Sequence, residues 1–287
     1  MPQWSVTEPM KRTFDDLPET LRVRVVNGAV NVIGTDDPGA PARLEISDVQ
    51  GPPLLVTQEG RTLTVSYEDL SWKGFLSWLK PAGRQRSAVV TVAVPAGTDV
   101  QVAVVGATAT VSGIRGRTEV RGVTGVTTLA RLSGPVRAET VSGALEAQGV
   151  TGDLRFHSVS GDLTVIDGSG TSVRADSVSG DMVVDVDPEG APTDIQLTTV
   201  SGEVAIRLPH RADARVEANT TSGAVSNAFD ALRVGGQWGT KQITGTLGSG
   251  TGTLKATTVS GAIALLRRPE DTDAAPAADG VPSGKVL

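Results

Sequence analysis

The stretch that decides the fold is Thr140-Val141-Ser142-Gly143, one copy of a Ser/Thr-Val-Ser-Gly phrase. Other copies stand at residues 110–113, 158–161, 177–180, 199–202 and 258–261, with looser ones at 132–134 and 220–223. From Gly143 to Gly223 the glycines of successive copies are 18, 19, 22 and 21 residues apart. A repeat of this length predicts an array of similar structural units stacked on one another.

Each repeat divides into two strand-plus-turn units. A weaker half-repeat, such as Gly149-Val150-Thr151-Gly152, falls between full copies. Residues 159–165 alternate, with Val159, Gly161, Leu163 and Val165 predicted to point inward and Ser160, Asp162 and Thr164 outward. We therefore predict an all-β solenoid, with two short strands in each coil of about 18–22 residues and the strands of neighbouring coils about 4.8 Å apart.

The first hundred residues contain strand patterns but no copy of the phrase. Residues 21–25 and 29–33 alternate on either side of Asn27-Gly28, a pair that favours a tight β-hairpin. Further strands are predicted at residues 43–46, 63–67 and 89–94. The predicted division is an N-terminal segment (1–19), one β-repeat domain (20–267, made of a hairpin region 20–99 and the repeats 100–267) and a disordered tail (268–287).

Composition excludes several kinds of site. The 287 residues include no cysteine, so disulfides, thiolate metal sites and cysteine nucleophiles are excluded. The formal net charge of −6 disfavours nucleic acid as a partner. No signal peptide and no apolar stretch of about 18 residues is visible, so the expected location is cytoplasmic.

Catalytic patterns are missing as well. The chain has two histidines, His157 and His210, and no Gly-x-Ser-x-Gly motif, so no catalytic residue is predicted and the protein is not expected to be an enzyme. The main rival is a parallel β-helix enzyme acting on polysaccharide, since such enzymes use outward carboxylates near strand turns. Candidates of that kind are Asp153, Asp162, Asp181 and Glu203.

No cofactor and no metal ligands are predicted. Residues 185–190 imitate the start of a calcium loop, but its twelfth position is Gln196 rather than a bidentate Glu. Residues 245–252 are rich in glycine but lack the Gly-Lys-Ser/Thr ending of a phosphate-binding loop, so a turn between strands is predicted. The regular serines of the phrase are interpreted as a ladder that satisfies backbone groups of the turns.

The candidate contact site lies where the repeat is interrupted, at residues 70–80. On a helix, Trp72, Phe75, Leu76 and Leu79 would form one apolar stripe, which Trp78 widens. Lys73 and Lys80 border this stripe, a combination that suits a membrane interface or a protein groove. The alternative is that this short amphipathic helix caps an open end of the solenoid.

The hairpin region at residues 25–32, the serial Thr-Val-Ser-Gly units and the closing residues 258–265 are similar to the bacterial putative-adhesin family of unknown function. Its members are toastrack-like β-strand-repeat proteins, and the Val-, Ala-, Arg- and Gly-rich texture resembles actinobacterial members. The resemblance covers residues 20–267 and implies a non-enzymatic scaffold or adhesin-like binding protein, peripheral to the membrane and linked to envelope stress or homeostasis. The implied partner is a protein, a glycan or a membrane surface, with the oligomeric state left open.

Overall fold

The structure, a computed structural model, describes residues 2–67, 86–170, 172–188, 191–237 and 239–269. Every regular element within these residues is a β-strand, and the strands build stacked two-strand coils as the repeat predicts. The helix predicted within residues 70–80 lies outside the described residues, as does the predicted tail beyond residue 269.

The strands form two sheets, and each coil contributes one strand to each sheet. Sheet A contains 14 strands in the spatial order β1 (Gln3–Val6), β6 (Leu54–Glu59), β7 (Thr62–Ser66), β3 (Thr20–Val25), β9 (Asp99–Val104), β11 (Thr118–Arg121), β13 (Val136–Glu139), β15 (Leu154–His157), β17 (Ser172–Asp176), β19 (Asp194–Thr198), β25 (Thr253–Thr258), β21 (Ala214–Thr220), β24 (Lys241–Leu247) and β23 (Leu232–Gly235). Sheet B contains 12 strands in the order β2 (Met10–Phe14), β5 (Ala42–Gln50), β8 (Ser87–Pro95), β4 (Asn27–Thr35), β10 (Thr108–Ser112), β12 (Val126–Ala130), β14 (Ala144–Gln148), β16 (Leu163–Gly168), β18 (Met182–Val186), β20 (Val204–Leu208), β26 (Ile263–Arg267) and β22 (Val225–Asn227).

The core lies between the two sheets. In β15, Leu154 and Phe156 are buried, whereas Arg155 and His157 are exposed on the outer face of sheet A. The middle coils pair in parallel and in register, so equivalent residues of successive coils stack in rows. The inward rows of both sheets form one hydrophobic cluster, and each fully buried Leu- or Val-sized side chain contributes about 1.5–3 kcal/mol to folding.

The phrase turns the corner from a sheet A strand to a sheet B strand. In residues 220–223, the backbone N–H of Gly223 donates to Thr220 Oγ1 at 3.0 Å. Thr220 Oγ1 in turn donates to the carbonyl oxygen of Gly261 in the neighbouring coil at 2.9 Å. Ser222 Oγ donates to the carbonyl oxygen of Val259 at 3.3 Å. The hydroxyls therefore connect neighbouring coils, as the predicted serine ladder requires.

The valine of the phrase points outward, so the predicted inward orientation is wrong. Val159, Val178, Val200 and Val259 are 52%, 50%, 47% and 47% exposed. The period-2 alternation breaks here because the first hydroxyl accepts the N–H of the glycine three residues later, which folds the segment into a turn. The predicted inward positions Gly161, Leu163 and Val165 are correct.

Two copies of the phrase occupy other places. Residues 110–113 run along the end of β10 and past it, where Val111 is fully buried. The loose copy 132–134 lies at the opposite corner, between β12 and β13. In contrast, residues 122–125 lie at the phrase corner, because the N–H of Ser142 donates to the carbonyl oxygen of Val123. Position in the coil thus depends on register as well as on sequence.

The predicted hairpin around Asn27-Gly28 is not formed. β3 lies in sheet A and β4 in sheet B, so the two segments occupy different sheets of one coil. Gly28 has a φ of 106°, and a Cβ atom there would lie 2.1 Å from the carbonyl oxygen of Ala88. The glycine therefore serves a close approach between β4 and β8, rather than a hairpin turn.

The order of coils in space differs from their order in the chain. β25 and β26 pair with β19 and β20, and on their other side with β21 and β22. The last described coil is therefore inserted into the stack. The turn predicted within residues 245–252 is confirmed, because it connects β24 to β25.

The N-terminal end of the solenoid is closed by residues that precede the predicted repeat domain. β1 pairs antiparallel with β6, and β2 pairs antiparallel with β5. Trp4 and Phe14 stack edge to face with centroids 5.7 Å apart, and the Arg12 guanidinium lies 3.7 Å from the Trp4 ring centroid. Two antiparallel strands and their aromatic side chains thus cover this end.

Candidate functional site

The predicted contact residues Trp72, Lys73, Phe75, Leu76, Trp78, Leu79 and Lys80 lie outside the described residues. The residues on either side of this segment are close together, since the Arg86 guanidinium lies 5.4 Å from the centroid of the Tyr67 ring. Tyr67 follows β7 and Arg86 precedes β8, so the described residues on either side of the segment 68–85 lie at one place on the solenoid. In both sheets two strands lie between this coil and the N-terminal end.

Within the described residues, a groove on the outer face of sheet A is the best candidate site. It has a volume of about 540 Å³ and crosses β11, β13 and β15. We call it the arginine groove. It is lined by Arg117, Glu119, Arg121, Pro135, Val136, Arg137, Asp153 and Arg155. Four guanidinium groups against two carboxylates make it locally cationic, although the whole chain has a net charge of −6.

The parallel register brings these arginines together. Arg137 of β13 pairs with Arg155 of β15, which pairs in turn with Arg174 of β17. Adjacent strands are about 4.8 Å apart, so three guanidinium-bearing side chains start from one row on neighbouring strands. Each lies at an outward position because its flanking residues point into the core.

The arginines on either side of Arg155 have carboxylate partners. Arg137 Nη2 lies 2.6 Å from Glu139 Oε1, and Arg174 Nη2 lies 3.0 Å from Asp194 Oδ2. Arg121 contacts Glu119 at 2.8 Å and Glu139 at 3.2 Å. The charges at the borders of the row are therefore largely compensated within the protein.

Glu139 is the central acceptor of these pairs. Burial by itself would raise its pKa, but the hydrogen bond from Arg137 and the charges of Arg121 and Arg137 outweigh burial, so its pKa is lowered. Glu139 thus stays ionised at neutral pH and holds both arginines on the groove side of the sheet.

In the lining, the guanidinium groups of Arg117 and Arg155 and the carboxylate of Asp153 are the exceptions. Across the described ranges, the guanidinium of Arg155 makes no hydrogen bond and no ion pair, and neither does the carboxylate of Asp153. Both side chains are exposed; Arg155 lies on β15, and Asp153 is the residue immediately before that strand. The groove therefore offers an uncompensated cation beside an uncompensated hydrogen-bond acceptor.

Of the other three predicted outward carboxylates, Asp162 and Asp181 have structural partners. Asp162 Oδ1 accepts the N–H of Asp181 at 2.9 Å, and Asp181 Oδ1 accepts the N–H of Glu203 at 2.7 Å. These aspartates connect successive coils and do not converge on one another across a cleft. His157 points outward, with its Nδ1 3.3 Å from Asp176 Oδ2.

Of the calcium-like residues 185–190 the structure describes 185–188, and two arginines bind the carboxylate of Asp185. The Asp185 side chain is 5% exposed, and its carboxylate lies 2.5 Å from Arg207 Nη2 and 2.7 Å from Arg268 Nη2. Burial would raise the pKa of Asp185, but hydrogen bonds and charges from both arginines lower it overall. No group of three or more His, Asp or Glu suited to a metal ion occurs in the described part of the chain.

Sequence reasoning missed the arginine groove, although one signal was present. Arg137, Arg155 and Arg174 are 18 and 19 residues apart, which is the spacing of the phrase itself. Any residue that recurs with the period of a solenoid is stacked in a row. A search of the sequence for charged residues that recur every 18–19 residues would have found this row. It would not have shown that Arg155 lacks an ion-pair partner.

The family model described as Toastrack DUF4097 matches residues 30–266 of the chain. Two solved structures are similar to it: a putative adhesin from Bacteroides fragilis (12% identity, TM-score 0.46, 91% of this chain and 98% of the other) and a putative cell adhesion protein from Clostridium sporogenes (11% identity, TM-score 0.26, 91% and 100%). No curated protein matches the chain.

Proposed function

The chain belongs to the Toastrack DUF4097 family, and from this premise we propose that it is a non-enzymatic, adhesin-like scaffold that binds a partner on the outer face of its coils. One observation carries the proposal. The hydroxyls and several carboxylates of the repeat bond to neighbouring coils, whereas Arg155 stands exposed without a partner. The groups of the repeat that resemble catalytic residues thus stabilise the stack, and the free charge is available for binding.

The rival function, cleavage of polysaccharide, needs two carboxylates that flank one bond, with one of them able to donate a proton. Glu119 lies in the groove but is held by Arg121 at 2.8 Å. Asp162 and Asp181 accept backbone N–H groups of the next coil. These contacts favour binding over cleavage.

Incubation of the purified protein with neutral and acidic polysaccharides tests this proposal, with the formation of new reducing ends as the readout. A non-enzymatic scaffold should produce no new reducing ends at any concentration of the protein. Cleavage that is abolished in Glu119→Gln or Asp153→Asn would show that the protein is an enzyme.

A second contact at the membrane periphery, with a role in envelope stress or homeostasis, is part of the same proposal. It rests on the Trp- and Lys-rich sequence of residues 72–80 and on the position of the flanking residues Tyr67 and Arg86, which are two strands away from the N-terminal end in each sheet. The described ranges contain no helix that is long and apolar enough to span a membrane, and their regular elements are all strands.

Co-sedimentation with vesicles of phosphatidylcholine and phosphatidylglycerol tests the membrane contact. The wild type should sediment with the vesicles, and the double variant Trp72→Ala/Trp78→Ala should remain in the supernatant. A chain in which a short Gly-Ser linker replaces residues 68–85 should behave like the double variant and unfold as cooperatively as the wild type. Equal sedimentation of all three proteins, or none by the wild type, would remove the membrane from the proposal.

A further inference from the structure

We propose that the arginine groove binds an anionic saccharide, with the carboxylate or phosphate of the sugar on Arg155 and a sugar hydroxyl on Asp153. This inference rests on the proposed binding function and names the chemical class of the ligand. It uses residues of β15, of the strands beside it and of the turn that leads into β15.

The first argument is the electrostatic cost of the arginine row. Like charges at directly paired positions of neighbouring strands destabilise a sheet. Arg137 and Arg174 are compensated by Glu139 and Asp194, but Arg155 between them has no compensating carboxylate. An anion on Arg155 would complete the alternation of charge across the face.

The second argument is the geometry of the donor. A guanidinium presents a planar fork of N–H donors that matches a carboxylate or a phosphate with two parallel hydrogen bonds. Arg155 is exposed, and the paired side chains of Arg137 and Arg121 border it within the same groove. The groove is therefore open to a ligand, and the uncompensated guanidinium of Arg155 is accessible to an anion.

The third argument is the carboxylate of Asp153, which favours a sugar over a ligand that carries only anionic groups. Asp153 is two residues from Arg155, about 7 Å along the strand, and does not pair with it. A free carboxylate repels a uniformly anionic ligand, but it accepts hydrogen bonds from hydroxyl groups. One pyranose ring with its acidic group spans this distance. The lining thus suits a ligand that carries both an anion and hydroxyl donors.

Calorimetric titration with trigalacturonate and with glucose 6-phosphate at low ionic strength tests the inference. At least one of these probes should bind, and Arg155→Gln should weaken its binding at least tenfold. Arg155→Lys should bind with intermediate affinity, because lysine keeps the charge and loses the fork. Asp153→Asn should weaken binding of the same probe and strengthen binding of a hexaglutamate peptide, because the variant lacks the carboxylate that repels a uniformly anionic ligand. The matched control is Arg233→Gln, which removes an exposed arginine of β23, six strands away in sheet A.

Three results would overturn the inference: neither probe binds the wild type, Arg155→Gln and Arg233→Gln have the same effect, or hexaglutamate binds as tightly as the sugars. Unfolding temperatures equal to that of the wild type confirm that the variants are folded. The proposed function fails separately, if the bound trigalacturonate is cleaved. In that case the binding site stands and the protein is an enzyme.

Discussion

Gly202 lies so close to Gly180 of the preceding coil that a Cβ atom on Gly202 would be 1.9 Å from the Gly180 carbonyl oxygen. The same contact recurs at Gly161, Gly180, Gly261 and Gly223, with distances of 1.7 to 2.1 Å. The glycine of the phrase is thus required by the approach of neighbouring coils.

We expect Gly202→Ala to lower the free energy of unfolding by about 2 kcal/mol or more, because the new methyl group overlaps backbone atoms that cannot move aside. Urea denaturation measures the change. The control is Gly97→Ala, where an added Cβ has no neighbour within 4 Å, and its effect should stay within about 0.5 kcal/mol. Equal losses in the two variants would refute the proposed contact.

Thr220 provides the second prediction. Thr220 is 2% exposed, and its hydroxyl makes two hydrogen bonds. The substitution Thr220→Val therefore leaves the N–H of Gly223 and the carbonyl of Gly261 without their partner. The expected loss of stability is about 1–3 kcal/mol. Ser222→Ala in the same phrase removes an exposed hydroxyl and should cost less than half as much. Thr220→Ser should restore most of the stability.

The third prediction concerns pH. Asp213 accepts hydrogen bonds from Ser249 Oγ at 2.6 Å and from the N–H and hydroxyl of Thr251 at 3.0 and 2.8 Å. The hydrogen bond from Ser249 contributes most, followed by those from Thr251, and together they lower the pKa of Asp213 to about 2. A lowered pKa in the folded state stabilises the fold above the ordinary pKa of about 4, and this contribution disappears as the pH falls to about 2.

Thermal unfolding of the wild type and of Asp213→Asn between pH 7 and pH 2 checks this sign. The wild type should be the more stable protein at pH 7, and the difference should vanish as the pH approaches 2. Ser249→Ala should show a smaller difference with the same pH dependence. A gap between wild type and Asp213→Asn that is constant with pH would contradict the assignment.

The fourth prediction concerns the buried Asp185, whose carboxylate joins Arg207 of β20 to Arg268 after β26. Asp185→Asn should destabilise the protein by about 2 kcal/mol, because two guanidinium groups lose a buried anionic acceptor. Asp167 is 65% exposed and lies 3.6 Å from Arg268, so Asp167→Asn should change stability by no more than about 0.5 kcal/mol. Chemical denaturation of both variants measures the contrast. Similar values for the two would show that burial of Asp185 does not matter.

Local patterns predicted the strands well. Residues 43–46, 63–67 and 89–94 were predicted as strands, and they fall almost entirely within β5, β7 and β8. The serines of the phrase bond to backbone carbonyls of the adjacent coil, as the ladder interpretation expects. These features depend on side-chain alternation and turn chemistry, which are encoded within a few consecutive residues.

Predictions that depended on the partner strand were less successful. The Asn27-Gly28 pair reads locally as a hairpin, but Gly28 is used where β4 passes β8. Val159 continues the apolar alternation in sequence, yet the hydrogen bond from the Gly161 N–H to Ser158 Oγ at 2.6 Å turns the chain before Val159 can enter the core. The alternation of apolar residues does not reveal a side-chain hydrogen bond that ends the extended strand and starts a turn.

The sequence by itself determined that this chain forms stacked β-coils, because the period of the phrase and the alternation of apolar residues leave no other way to bury its valines and leucines. Only the tertiary structure decided which coils are neighbours. Since the phrases are nearly equivalent, the coil that contains Gly261 can stack between those of Gly202 and Gly223 as well as at the end. The same nonlocal register placed Arg155 between two paired arginines and left it free, because charge compensation depends on what lies one strand away.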